Sequence, residues 1–210
     1  KMSKSLGNVV DPLALRDDFG TDAVRWYLMR EMPTGADASY TPERFLTRYD
    51  ELSNVLGNLA SRATSMIVKY RDGVIPDGPE AGLGENVTTT LASVRTAMGR
   101  HKIHDALGAA MDLARDANGY VEDRQPWTQA KQGDDEALDE TLATLARVLA
   151  VLCALFQPVC PDKMDELASR LGLDSVPRLD EAVSVSLAGR SVRKGDPLFP
   201  RVDPGWEVAE

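Results

Sequence analysis

Lys1-Met2-Ser3-Lys4-Ser5 places two lysines three positions apart with small hydroxyl side chains beside them. Each lysine is a compact, strongly hydrated point charge, and Ser3 and Ser5 can donate to phosphate oxygens. Gly7, two residues on, supplies a hinge. A loop of this kind suits chemistry in which negative charge grows on a leaving pyrophosphate. By composition alone, a Lys/Ser-rich terminus reads more readily as a solvated tail. Other candidates are weaker. His101 and His104 are the chain's two histidines, and with Arg95, Arg100 and Lys102 they make a local basic patch. It would serve nucleic-acid phosphates or ordinary helix ends. Cys153 and Cys160 have neither zinc-ligand spacing nor enough company for a disulfide framework, and read as buried free thiols. No metal site is expected.

The elements that must position these residues are helical. Asp11-Pro12 pairs an N-cap with proline at the first helical position, and Gly20 ends a helix over 12–19. Thr21 caps a second helix, about 22–32, which turns Ala23, Val24, Tyr27 and Leu28 inward. Thr41-Pro42 opens a long helix through Phe45, Tyr49, Leu52, Leu56, Leu59, Ala63, Met66 and Tyr70, spaced by threes and fours. Helical spacing resumes over 87–98 and again over 102–124, where Ile103, Leu107, Met111, Ala114, Ala117 and Val121 share a stripe. Leu138, Leu142, Leu145, Leu149, Leu152 and Phe156 form the most apolar stripe, with acidic residues Asp134 to Glu140 at its start complementing the helix dipole. A last helix runs through Met164, Leu167 and Leu171. Beyond Leu173 the pattern weakens, with Val183 to Leu187 a short strand or part of an extended arm. The class is all-α, an antiparallel helical bundle with one shared core.

Composition bounds the function. The 210 residues are 43% hydrophobic and 27% charged, which excludes collagen-like and disordered chains. No apolar run approaches the roughly 20 residues that span a bilayer, and no secretory signal opens the chain, so a cytosolic protein with no membrane partner is expected. Basic residues number 24 against 33 acidic, a formal charge of -9, which argues against a generic nucleic-acid coat. The excess is uneven. Residues 1–30 hold five basic and four acidic residues, leaving 19 and 29 for the other 180 and a charge of -10 there. Any nucleic acid must be met by a few specific side chains.

Lys1-Met2-Ser3-Lys4-Ser5 followed by Leu6-Gly7-Asn8 resembles the signature loop of class I aminoacyl-tRNA synthetases. The chain is similar to the methionyl-tRNA synthetases in particular. The similarity runs through Asp22-Ala23-Val24-Arg25-Trp26-Tyr27-Leu28, the run Leu56 to Arg62, Asn118-Gly119-Tyr120-Val121, Gln125-Pro126-Trp127 and Pro197 to Arg201. The resemblance implies a C-terminal fragment in three parts. Residues 1–38 would be the signature loop and stem-contact helices, 41–173 the anticodon-binding bundle, and 174–210 a C-terminal arm. It also implies that Lys1, Ser3, Lys4 and Ser5 bind ATP, with magnesium as the nucleotide's counter-ion, and that Lys1 and Lys4 are catalytic. Methionine would be joined to its tRNA through methionyl-adenylate. The His-Lys-Ile-His run lacks the glycine of the family's histidine signature and lies C-terminal to the lysine loop, so it carries no catalytic expectation. Without a catalytic domain the fragment is expected to bind methionine tRNA but not to aminoacylate it, to be monomeric, and to have a mobile Lys1 to Ser5.

The resemblance further assigns anticodon reading to Asn58, Arg62 and Trp127. Residues 58 and 62 are i and i+4 and share a helix face just off the apolar stripe. Asn offers a donor and an acceptor to a base edge, Arg a planar fork, and Trp a face for stacking. On residue types alone, Asn58 and Arg62 read more readily as a solvated face and Trp127 as a core residue fixed by Pro126. Two alternatives stay open. One is a class I synthetase for isoleucine, valine, leucine or cysteine; the other is a non-catalytic helical interaction module.

Overall fold

The computed structural model describes residues 10–79 and 82–202, so Lys1 to Ser5, and with them the expectation of a mobile loop, lie outside the described residues. Among the described residues the regular elements are helices: α1 (Pro12–Phe19), α2 (Thr21–Glu31), α3 (Pro42–Asp50), a π-helical segment (Glu51–Gly57), α4 (Asn58–Tyr70), α5 (Gly84–Gly99), α6 (Ile103–Arg124), α7 (Pro126–Gln132), α8 (Asp135–Phe156) and α9 (Pro161–Arg170). The cap-then-proline signals act as expected. The Asp11 side chain accepts from Leu13 N at 2.8 Å, and Thr41 Oγ1 from Arg44 N at 3.3 Å. Gly20 stops α1 with φ of 85°, its N–H donating to the Arg16 carbonyl at 2.7 Å. Thr21 is not the cap of α2; Gly20 holds that position, and Thr21 is already helical.

The helix α8 is the centre. Leu138, Leu142, Leu145, Leu149, Leu152 and Phe156 are all buried, as are the residues between them on most sides, and α4, α6, α7 and α9 pack around it. Polar ties fix the directions. Arg71 at the end of α4 pairs with Asp135 (2.8 Å) and Asp139 (2.5 Å) at the start of α8, and Arg124 at the end of α6 pairs with Glu140 (3.1 Å). Helices α4 and α6 thus run parallel to each other and antiparallel to α8. The Asp134 side chain caps α8 by accepting from Ala137 N, so the acidic run both caps and pairs. Three stripe positions depart from expectation: Ile103 is exposed, and in α4 Met66 and Tyr70 are half-buried while Ile67 is buried in their stead. Cys153 and Cys160 are buried free thiols, and burial pushes both pKa values up.

Helix α2 is bolted to the bundle through residues that spacing alone misassigns. Leu28 is exposed and Val24 half-buried; Trp26 and Asp22 face inward instead. Trp26 is fully buried, donates from Nε1 to the Arg48 carbonyl at 2.9 Å, and packs on Phe156 with ring centroids 5.4 Å apart. Arg25 donates to the Pro158 and Val159 carbonyls at 2.8 Å each, closing the turn between α8 and α9. A cluster of ions then joins α2, α3, the π segment and α6. Glu31 accepts from Arg44 (3.0 Å) and Arg48 (2.7 Å), while Glu51 faces Arg48 (3.1 Å), Arg115 (3.0 Å) and Arg30 (3.5 Å). Burial lowers the pKa of Arg30.

Asp22 supplies α9 with the cap that its own N-terminus lacks: its Oδ2 accepts from Lys163 N at 2.8 Å. The carboxylate is 4% exposed and its Oδ1 has no partner among the described residues, so burial raises its pKa. A carboxyl whose folded pKa is raised contributes fully below its unfolded pKa and loses that contribution as pH climbs through the folded value. Asp22→Ala is expected to cost about 1–2 kcal/mol, as for a lost cap. Asp22→Asn keeps an acceptor and should stay within about 0.5 kcal/mol of wild type near neutral pH. Urea titrations should show wild type losing stability relative to Asp22→Asn as pH rises from about 4. A pH-independent difference would contradict this reading.

After α9 the chain returns along the bundle. Val74 and Ser191 form an antiparallel bridge, flanked by Ile75 N to Arg190 O (3.0 Å) and Val192 N to Gly73 O (2.6 Å). Residues 183–187 form no strand. Turns close at Ala182 and Val185, whose N–H groups donate to Arg178 and Glu181, and no neighbouring strand is available there. The return ends with Leu198 and Phe199 buried and the Tyr49 hydroxyl donating to Pro200 O at 2.8 Å. Burial pushes the Tyr49 phenol up to about 12.

Candidate nucleic-acid interface

The long helix expected over 42–70 is one rod with an irregularity in it: the π-helical segment at residues 51–57. Close packing marks the place. A Cβ on Gly57 would lie 3.1 Å from the Leu52 carbonyl oxygen and 3.9 Å from the Phe199 ring. The Val55 carbonyl accepts from Asn58 N and also from Asn118 Nδ2 on α6, the latter at 3.1 Å. Asn118 Nδ2 also reaches its own helix at Ala114 O (2.9 Å), and its Oδ1 accepts from Asn58 Nδ2 at 3.3 Å. Asn118 therefore fixes both the π segment and the amide of Asn58. A neutral hydrogen bond of this sort contributes about 0.5–1.5 kcal/mol, enough to bias a side-chain orientation.

One turn further along, Arg62 Nη2 pairs with Glu122 Oε1 at 2.7 Å. Asn118 and Glu122 are i and i+4 on α6, matched to Asn58 and Arg62 at i and i+4 on the parallel α4. Both members of the sequence-derived pair are part-buried at this seam, with Arg62 28% and Glu122 62% exposed along their side chains. Glu122 offsets the charge of Arg62, so this arginine is not a general attractor of phosphate. Neither Asn118 nor Glu122 stands out in the sequence as a site residue; the i, i+4 match to Asn58 and Arg62 is the signal that picks them out.

Trp127 follows Glu122 by five residues. Between them α6 ends at Arg124, and Gln125 adopts a left-handed conformation (φ 46°) that turns the chain into α7. Within α7, Pro126 and Gln129 are buried and Ala130 is packed against the core. With positions 126, 129 and 130 facing inward, position 127 lies about 100° round the helix and faces out. Trp127 is accordingly 42% exposed, which removes the core alternative. The structure brings Asn58 and Arg62 together on one seam and places Trp127 just beyond the end of the helix that completes it.

Two side chains of the basic patch are paired within the fold, and the backbone of its two histidines is tied to neighbouring segments. His104 and Lys102 face Asp105 at 3.1 and 3.7 Å, and the His101 and His104 carbonyls accept from Thr34 and Arg30. Among the described residues no group of three or more His, Cys, Asp or Glu could hold a metal ion, and no helix is long and apolar enough to cross a membrane.

Two family models match the chain. Residues 1–64 match the class I tRNA synthetases (M), and residues 72–205 match the anticodon binding domain of methionyl tRNA ligase. Methionine-tRNA ligase of Halalkalibacterium halodurans is 41% identical over the whole chain, and that of Lactococcus lactis 40%. The chain spans about a third of the length of these curated relatives, 33% in both cases. Mycobacterium tuberculosis methionyl-tRNA synthetase bound by methionyl-adenylate superposes with a TM-score of 0.88 at 37% identity, over 95% of this chain and 42% of that one. The isoleucine, valine, leucine and cysteine alternatives give way to the methionine branch.

Proposed function

Because the chain belongs to the family of methionyl tRNA ligase anticodon-binding domains, we propose that Asn58, Arg62 and Trp127 meet the bases of the methionine anticodon. The exposed Trp127, set at the end of the helix whose Asn118 and Glu122 hold the other two, carries the reading. Asn58 Nδ2 is taken by Asn118, so Asn58 presents its Oδ1 as an acceptor to a base edge. Arg62 offers the part of its fork that Glu122 does not occupy, and Trp127 offers a ring for an unstacked base. In the whole enzyme, ATP would activate methionine as methionyl-adenylate before transfer to the tRNA. Lys1 and Lys4 would hold the ATP phosphates, with Ser3 and Ser5 donating to them and magnesium as counter-ion; the match of residues 1–64 to class I synthetases supports this assignment. The division into a loop and stem-contact part (1–38), a bundle (41–173) and an arm (174–210), a monomeric state and a cytoplasmic location complete the proposal.

Binding of anticodon stem-loops to this chain tests it. The methionine stem-loop is expected to bind at least about tenfold tighter than one with a changed anticodon, the discrimination expected from one or two base-edge contacts. Glu122→Gln removes a carboxylate near the RNA and should strengthen both loops by about two- to fivefold, with a stability change of under about 1 kcal/mol. Equal affinity for all loops would overturn the assignment of the three residues.

A further inference from the structure

Which end of a side-chain amide is oxygen follows from the groups around it, and at the α4 and α6 seam those groups allow one arrangement. Asn118 Nδ2 reaches two carbonyls, Val55 O on the π segment at 3.1 Å and Ala114 O on its own helix at 2.9 Å. An amide nitrogen has two N–H donors, so both are spent, and a flipped Asn118 would set its oxygen against two other acceptors. Its Oδ1 therefore faces Asn58 and accepts from Asn58 Nδ2 at 3.3 Å. The constraint passes to the second amide. A flipped Asn58 would press its own oxygen against Asn118 Oδ1, so Asn58 Oδ1 is turned away from Asn118. Both side chains are half-buried, where an unmatched acceptor is costly.

Base edges differ in the complementary sense. Cytosine and adenine carry an exocyclic amino donor where uracil and guanine carry a keto acceptor. Resting on Asn58 as an anticodon contact, we propose that Asn118 is the positioning residue that sets the class of base Asn58 reads. With its Nδ2 held, Asn58 takes an amino-bearing base, cytosine or adenine, and rejects the keto edge of uracil or guanine. The methionine codon AUG pairs with the anticodon CAU, so Asn58 meets its C or its A and not its U.

Stem-loops in which uracil replaces the C, or hypoxanthine the A, exchange amino for keto at one base each. Binding of these loops and the CAU loop to the chain gives an amino-to-keto affinity ratio for each base. At the base that Asn58 meets, the wild-type ratio is expected to be at least about tenfold, and Asn58→Ala identifies that base by collapsing its ratio. Asn118→Ala frees the Asn58 amide to turn over and should bring the same ratio down to about threefold or less, with the other ratio unchanged. Asn118→Leu, which keeps the volume, should do likewise, and thermal unfolding verifies that each variant is folded. Adding Asn58→Asp to Asn118→Ala leaves only acceptors at position 58. The ratio should return to about tenfold while all loops bind more weakly to the added negative charge. If Asn118→Ala and Asn118→Leu keep the wild-type ratio, or weaken all loops alike, the proposal is overturned and Asn58 stands as a base contact. If Asn58→Ala changes neither ratio, the reading of Asn58 falls and the role of Asn118 falls with it.

Discussion

Replacing Trp26 by alanine is expected to destabilise the chain by about 3–5 kcal/mol, the range for truncating a buried tryptophan. Its indole lies where α2, α3 and α8 meet, fully buried against Phe156. Truncation both opens a cavity and strips the Arg48 carbonyl of the Nε1 donor that reaches it at 2.9 Å. Trp26→Phe keeps most of the ring volume and loses the hydrogen bond, so a loss of about 1–2 kcal/mol is expected. Urea unfolding followed by circular dichroism measures both. A loss below about 1 kcal/mol for the alanine variant would mean that α2 folds apart from the bundle core.

The second tryptophan should behave in the opposite way. Trp127→Ala is expected to leave unfolding stability within about 0.5 kcal/mol, since the ring is 42% exposed and α7 is held by Pro126 and Gln129. Affinity for the methionine stem-loop should nevertheless fall by about 5- to 150-fold, the range for losing a base-aromatic stack of about 1–3 kcal/mol. Trp127→Phe keeps an aromatic face and should recover most of that binding. If Trp127→Ala binds like wild type, the exposed ring has no part in reading RNA. The contrast separates stability from recognition, because it sets two residues of one type in two environments.

Spacing in the sequence revealed α8 almost completely, because Leu138 to Phe156 fall on one stripe and little else in that segment is polar enough to compete. It also placed the capped starts of α1 and α3, where the signal is a side-chain oxygen three or fewer residues from the N–H it accepts from. The inward face of α2 was not legible. Trp26 and Leu28 are both apolar, and only the Arg48 carbonyl and the Phe156 ring, both distant in sequence, decide between them. The π segment was hidden for a related reason: steps from Tyr49 to Leu52, Leu56 and Leu59 satisfy an α-helical stripe equally well. At the interface, resemblance identified Asn58, Arg62 and Trp127, but their partners Asn118 and Glu122 come from another helix, which no local pattern reports.

The π-helical segment makes the rod from α3 to α4 a joint whose setting is counted in residues. Tyr49, just upstream, ties the rod to the end of the chain, and the ion pairs of Arg48 and of Glu51, the segment's first residue, tie it to α2. Downstream lie Asn58 and Arg62. Deleting one residue between 51 and 57 would let the rod continue as ordinary α-helix, but it would rotate everything downstream by about 100° against everything upstream. Asn58 and Arg62 would then leave Asn118 and Glu122 with no side chain having been altered. Length variation at this point is therefore a way to re-aim an RNA-reading face on an unchanged scaffold, and sequence identity would not register it.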